Sequence, residues 1–199
     1  MLRDANDLGY PVAQSAIAAD TGSIDFFLSP KAESSNSLNA NFRKGSEKIT
    51  VPVTTIDRYI SLGAPVPTIM KIDVETLEPE VLAGSRKTVA NHKPIITCEL
   101  LPRADSRDGI GELMAWLQYY GYRFYQITET GPFGEYSASE VIGALDSHLR
   151  DWILSPEPLS KAYYDSLSLW REAMNTSDVD TNLFIEPGDP VFEDLQKHW

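Results

Sequence analysis

Residues 67–85 constrain the fold of this 199-residue chain more than any other stretch. A mostly apolar run, residues 69–72, is followed by the carboxylates Asp73, Glu75 and Glu78 and then by a helical pattern. We interpret this as a buried strand that ends at acidic side chains, with further acid in the first turn of a helix. Because ligands of open α/β sheets bind beyond the carboxyl ends of the strands, the same stretch predicts a ligand site.

The periodicity on both sides of this stretch predicts an α/β fold. Strands are expected at Val12–Ala19, Ile24–Leu28, Ile49–Val53, Thr68–Ile72, Ile95–Leu101 and Tyr122–Thr128. Helices are expected from Thr76 or Glu78 to Asn91 and from Asp108 to Gly121. Between residues 68 and 128 strands alternate with helices, which favours parallel pairing. Pro52 indicates that residues 49–53 form an edge strand, which could pair antiparallel with residues 24–28.

The chain after residue 130 departs from this alternation. Gly131–Gly134 is expected to break the pattern, and two helices are expected to follow. Their apolar faces are Val141, Leu145, Leu149, Trp152 and Ile153 in the first, and Leu159, Tyr163, Leu167 and Trp170 in the second. Thr181–Ile185 is expected to be a last strand. We therefore predict one domain over residues 1–199, with a helical insertion at 135–178 before the last strand.

Composition and charge exclude several classes of function. The formal net charge of −12 repels phosphate backbones, so nucleic acid is not an expected partner. No apolar run is long enough to cross a membrane, and the first residues lack the apolar core of a secretory signal. Cys98 is the single cysteine, which we expect to be buried in a reducing compartment, so the cytoplasm is the expected location. The three histidines form no metal-ligand pattern, so no metal site is predicted.

The segment Lys71–Gly84, KIDVETLEPEVLAG, resembles the signature of the FkbM family of S-adenosylmethionine-dependent methyltransferases. That family usually reads K-I-D-V-E-G-x-E at this point, followed by a leucine-rich helix start and a glycine. Other segments resemble the family in the same order along the chain. They are Ala16–Gly22, Thr54–Asp57, Lys93–Ile96 with Glu99, and Asn182–Phe184.

The resemblance implies a Rossmann-like class I methyltransferase sheet, S-adenosylmethionine as cofactor, and O-methylation of a hydroxyl on a small molecule or saccharide. It places Asp73 near the methionine end of the cofactor or near the acceptor hydroxyl. Asp73 is thus the first candidate for a catalytic acid or base, and Glu75 is the second. Ser15 and Ala16, at the end of a strand, would pass the adenine ring, and Glu99 would meet the substrate.

The first two strands of that family, with their glycine-rich cofactor turn, have no counterpart in this sequence. The only G-x-G, Gly109-Ile110-Gly111, follows Arg107 and Asp108 and is interpreted as a helix start. In the family's sheet the two strands lie between those at Val12 and Thr68, so their absence predicts a gap or two unpaired edges. We expect a sequence that is cut short at its start. A second copy of the chain or another partner could cover such edges.

Thr76 departs from the family pattern, which has glycine at this position. A glycine suits a positive φ or a close approach to a ligand, and a β-branched residue is unfavourable in either case. We therefore expect Thr76 to be the N-cap of the following helix instead.

Two other functions stay open on the sequence. Asp73-x-Glu75 after an apolar strand imitates the D-x-D clamp of metal-dependent glycosyltransferases, although no nucleotide-binding half accompanies it. A chain without the cofactor loop could also be a non-catalytic remnant or a partner-binding module. The acids themselves could serve only the start of the helix, where each stabilises it by about 0.3–1 kcal/mol.

Overall fold

The computed structural model describes residues 9–28, 47–74, 76–101, 107–128 and 131–165. Its strands are β1 (Ala16–Ile17), β2 (Gly22–Leu28), β3 (Glu47–Thr54), β4 (Ile69–Ile72), β5 (Ile95–Glu99), β6 (Arg123–Thr128), β7 (Gly131–Tyr136) and β8 (Asp151–Ser155). Its helices include α1 (Ile56–Ser61), α2 (Glu78–Ala83), α3 (Arg86–His92), α4 (Arg107–Tyr119) and α5 (Ala138–Ala144). The structure is mixed α/β with two sheets. The last strand predicted at 181–185 lies outside the described residues, as do residues 166–170 of the second predicted helix, whose residues 161–165 are helical.

The first sheet has the order β1-β3-β2. The antiparallel pairing of β2 with β3 is confirmed over the whole length of β2. The edge position predicted for β3 is wrong, because β1 pairs in parallel with its other side at Val53 and Thr54. Pro52 is compatible with this position because the two pairs with β1 begin one residue after it. The strand predicted at 12–19 is correspondingly short.

The second sheet has the order β4-β5-β8-β6-β7. Strands β4 and β5 are parallel, as predicted, with Ile69 opposite Ile95 and Ile72 opposite Cys98. Strand β8 lies between β5 and β6 and is antiparallel to both. Strands β5 and β6 therefore run in the same direction without being neighbours, and the prediction of continuous parallel pairing is wrong here.

Residues 131–155 differ most from the prediction. Gly131–Tyr136 forms β7, which makes an antiparallel hairpin with β6. The first predicted helix ends at Ala144, and residues 151–155 form a strand where the helical face was expected to continue. Trp152 to Leu154 are all buried, and a contiguous apolar run of this kind is typical of a central strand. The helical content predicted for this part of the chain is therefore only partly right.

The helix predicted up to Asn91 is two helices, α2 and α3, which are separated by Gly84 and Ser85. A Cβ added to Gly84 would lie 2.1 Å from the carbonyl oxygen of Ala18, so this end of α2 touches the backbone next to β1. The Asp57 carboxylate of α1 accepts from the backbone N–H groups of Lys87 and Thr88, at 2.9 and 2.8 Å. Asp57 thereby supplies the acceptor at the start of α3 that the side chain of Ser85 does not supply.

One hydrophobic core holds the second sheet against α2, α4 and α5. Cys98 is buried in this core, and Gly109 and Gly111 lie in α4, as predicted. Ile17 of β1 and Ile56 of α1 are half-buried and pack against the same core. Among the described helices, none is long and apolar enough to cross a lipid bilayer.

Candidate functional site

Strand β4 has one open edge. It pairs with β5 on one side, and no strand in the described ranges pairs with its other side. Its residues alternate between exposed and buried, and Ile69 at its start is 64% exposed. The two sheets are therefore not closed onto each other between β1 and β4, which is where the sequence predicts a gap.

A cavity of about 310 Å³ lies between the two sheets along this edge. Its lining is mostly apolar and comes from both sides: Ile17 of β1, Ile56 and Tyr59 of α1, Met70–Ile72 of β4, Val74, and Val81 of α2. Among the described residues that line it, Lys71 is the only charged one. The described lining is therefore suited to an apolar group, with a positive charge offered by Lys71.

Asp73 lies directly after β4, between the lining residues Ile72 and Val74. Its Oδ2 lies 3.1 Å from Nζ of Lys71, and its side chain is 49% exposed. An exposed ion pair of this kind contributes little to stability, about 0–1 kcal/mol. The Asp73 carboxylate is therefore accessible to a ligand at the carboxyl end of β4.

Glu99 ends β5 at the same edge of the sheet. Ile72 of β4 lies opposite Cys98 of β5, and the two strands are parallel. Asp73 and Glu99 are the next residues along the chain and therefore occupy corresponding positions. The side chain of Glu99 is 25% exposed, and its Oε1 lies 3.9 Å from Nη1 of Arg150. The structure thus brings two of the predicted site residues to one edge.

Glu78 is the residue of this region whose role the sequence did not indicate. It is 1% exposed at the start of α2, and its Oε1 accepts from the backbone N–H groups of Val74 at 3.1 Å and Thr76 at 3.3 Å. Burial raises the pKa of the Glu78 carboxyl above its usual value, against the hydrogen bonds from the backbone, and the charge of Glu99 adds to the rise. The one signal for the burial of Glu78 is its place in the signature Lys71–Gly84, since a carboxylate in the first turn of a helix is usually exposed.

Thr76 was expected to be the N-cap of α2, and this prediction is wrong. The N-cap is Leu77, and Thr76 has a φ of 87°. The position at which the family usually has glycine therefore does require the left-handed region of backbone conformation. Glu75, the second catalytic candidate, lies outside the described residues.

Ser15 and Ala16 lie on the first sheet. Ser15 Oγ lies 3.1 Å from the carbonyl oxygen of Pro52 and 3.3 Å from that of Ala16, so its hydroxyl is used within the sheet. Ala16 precedes Ile17, which lines the cavity. Their predicted contact with a cofactor stays a prediction. Within the described ranges, no three His, Cys, Asp or Glu residues are grouped closely enough to hold a metal ion.

Comparison with protein families matches residues 4–124 to the family described as Methyltransferase FkbM domain. Neither the curated proteins nor the solved structures include a significant match to this chain. The matched region covers more than half of the 199 residues and includes β1 to β5 with the Asp73 loop. The chain therefore belongs to the FkbM methyltransferase family.

Proposed function

We propose that this chain is an S-adenosylmethionine-dependent methyltransferase that methylates a hydroxyl of a small molecule or saccharide, on a Rossmann-like class I sheet. Membership of the FkbM family supports methyl transfer. The observation that carries the site is the accessible Asp73 carboxylate at the carboxyl end of β4, next to residues that line the cavity. Ligands of α/β sheets bind at this end of the strands.

The cavity supports the choice of cofactor. Its volume of about 310 Å³ is at the lower end of the range of ligand pockets, which is about 300–1,000 Å³. Its apolar walls, such as Ile17 and Ile72, fit an adenine ring, and Asp73 and Lys71 offer opposite charges for the polar end of the ligand. When bound, S-adenosylmethionine supplies a methyl group on a positively charged sulfur.

The side chains of this edge have two tasks in the proposed reaction. Besides contacting the polar end of the cofactor, Asp73 orients the acceptor hydroxyl and accepts its proton, which a hydroxyl must lose when its oxygen is methylated. Glu99, at the end of the neighbouring strand, binds the acceptor from the side. The apolar walls exclude water, so that positioning supplies most of the rate.

Calorimetric titration of S-adenosylmethionine and S-adenosylhomocysteine into the purified chain tests this proposal. We expect Asp73→Asn to weaken binding of the cofactor by about tenfold or more, because a hydrogen bond to a charged group contributes about 1.5–3 kcal/mol. Asp25→Asn is the matched control, because Asp25 also pairs with an exposed lysine, Lys48, at 2.9 Å and has a similar exposure of 45%. Circular dichroism checks that each variant is folded.

The outcomes distinguish whether the chain binds the cofactor from whether Asp73 contributes to that binding. A folded chain that binds neither ligand would contradict the proposed function of this chain and favour the non-catalytic alternative. Binding that both variants weaken equally would contradict the role of Asp73.

A further inference from the structure

The loop between β4 and α2 combines two features that are unfavourable separately. Thr76 has a φ of 87°, and backbone strain of this kind in a residue with a Cβ persists only where the surroundings enforce it. Glu78 is a carboxylate that is almost fully buried, which is unfavourable without hydrogen-bond partners. Glu78 Oε1 accepts hydrogen bonds from the N–H groups of Val74 and Thr76. The loop thereby supplies the partners that the buried carboxylate needs, and the carboxylate holds the backbone in its strained conformation.

These two hydrogen bonds act on the residues next to the candidate site. Val74 follows Asp73 directly and lines the cavity, and Thr76 determines where the chain turns toward α2. The backbone of Glu78 belongs to α2, whose Val81 is buried in the core and also lines the cavity. The carboxylate therefore connects the exposed loop to a rigid element.

We propose that Glu78 is a positioning residue: its carboxylate holds the backbone at Val74 and Thr76 and thereby sets the direction of Asp73 toward the cavity. This inference rests on the proposed function for its effect on cofactor binding, and on the structure alone for its effect on the loop. Glu78 itself does not contact the ligand in this proposal.

Amide hydrogen exchange, followed by NMR, tests the effect on the loop. We expect Glu78→Ala to raise the exchange rates of the Val74 and Thr76 amides by about tenfold or more, because they lose their acceptor. Glu78→Gln keeps an oxygen at the same place and should leave both rates within about threefold of the original. The amides of Lys87 and Thr88, which donate to the Asp57 carboxylate, provide an internal reference.

The control variant is Asp57→Ala, which should accelerate Lys87 and Thr88 and leave Val74 and Thr76 unchanged. If Glu78→Ala does not fold, Glu78→Asp serves in its place, since its carboxylate is one methylene shorter and cannot reach both amides. Unchanged exchange at Val74 and Thr76 in the folded Glu78→Ala or Glu78→Asp variant would overturn the proposal.

Calorimetric titration of S-adenosylhomocysteine tests the effect on the site. We expect Glu78→Ala to raise the Kd by about tenfold, and Glu78→Gln and Asp57→Ala to change it by less than about threefold. Equal weakening by Glu78→Ala and Asp57→Ala would mean a purely structural role and would overturn the positioning of Asp73. If the unaltered chain does not bind, the proposed function fails, and amide exchange alone decides whether Glu78 holds the loop.

Discussion

Thr76 stands at the position where the FkbM signature described above usually carries glycine, and its φ of 87° is a conformation that favours glycine. The sequence analysis singled out this position and expected Thr76 to be the N-cap of α2. The N-cap in the structure is Leu77. A threonine at positive φ carries strain that a glycine avoids, since glycine has no Cβ. The difference between the two residues can be measured as stability.

We expect Thr76→Gly to increase the free energy of unfolding by about 0.5–1 kcal/mol. Relief of the strained φ is worth about 1–3 kcal/mol, and the greater freedom of glycine in the unfolded chain offsets part of it. Thr76→Ala is the control, because alanine keeps the Cβ and should give no such gain. Urea unfolding measures both, and a loss of stability in Thr76→Gly would contradict this account of the loop.

Glu78 gives a dependence of stability on pH. Burial raises the pKa of its carboxyl in the folded state above the value in the unfolded state. The folded state therefore holds this proton more tightly, and stability is lost as the pH rises from the unfolded pKa through the folded pKa. Glu78→Gln carries no such proton while it keeps the acceptor oxygen.

The stability of Glu78→Gln relative to the unaltered chain should therefore increase as the pH rises from about 4, the ordinary pKa of a glutamate, upward. Urea unfolding of both proteins at several pH values across this range measures the difference. A difference that decreases as the pH rises would mean that the backbone N–H groups outweigh burial, and that the pKa of Glu78 is lowered.

At the scale of elements, the contact between α2 and the first sheet depends on Gly84. The family signature ends in this glycine, and the structure gives its reason: the carbonyl oxygen of Ala18 occupies the space of a Cβ. Asp57 N–H also donates to the carbonyl of Gly84 at 3.0 Å, which brings α1 to the same point. Gly84 thus lets both sides of the cavity approach each other.

We expect Gly84→Ala to lower the free energy of unfolding by about 1–3 kcal/mol, because the backbone of Ala18 must move to admit a Cβ. Gly109→Ala is the matched control. Apart from the helix's own backbone and the neighbouring residues in the chain, no described atom lies within 4 Å of a Cβ at Gly109 in α4, so alanine should stabilise that helix by about 0.5–1 kcal/mol. Thermal unfolding of the two variants measures both effects. Equal tolerance of alanine at the two positions would contradict the close packing at Gly84.

The elements differ in how far the sequence could predict them. The parallel pair β4 and β5 follows from two apolar runs joined by a helical pattern. Strand β8 was missed because Trp152 and Ile153 continue the helical spacing of Val141, Leu145 and Leu149. A short apolar run cannot be assigned to helix or strand by periodicity alone, and the place of β8 between β5 and β6 depends on contacts far along the chain. The burial of Glu78 depends on tertiary packing in the same way.

At the scale of the whole molecule, the described parts form two sheets that share one core but leave the outer edge of β4 open. The sequence analysis expected a gap or two unpaired edges here, because the family's first two strands have no counterpart in the sequence, and for the whole chain this stays a prediction. It also predicted that Asp73 and Glu99 face the same crevice, and the parallel register of β4 and β5 places both residues at one edge of the sheet. The apolar cavity between the sheets was not predicted, because its lining comes from four separate elements and from the segments before and after β4. A partner that covers the open edge stays a prediction.

The central claim is that the cavity along β4 binds the cofactor of a methyltransferase. NMR of isoleucine methyl groups, with S-adenosylhomocysteine added, tests it most directly. We predict that the methyl signals of Ile17, Ile56 and Ile72, which line the cavity, shift with increasing ligand, and that those of Ile110 and Ile153 do not. Shifts confined to residues away from the cavity, or no shifts at saturating ligand, would contradict the claim.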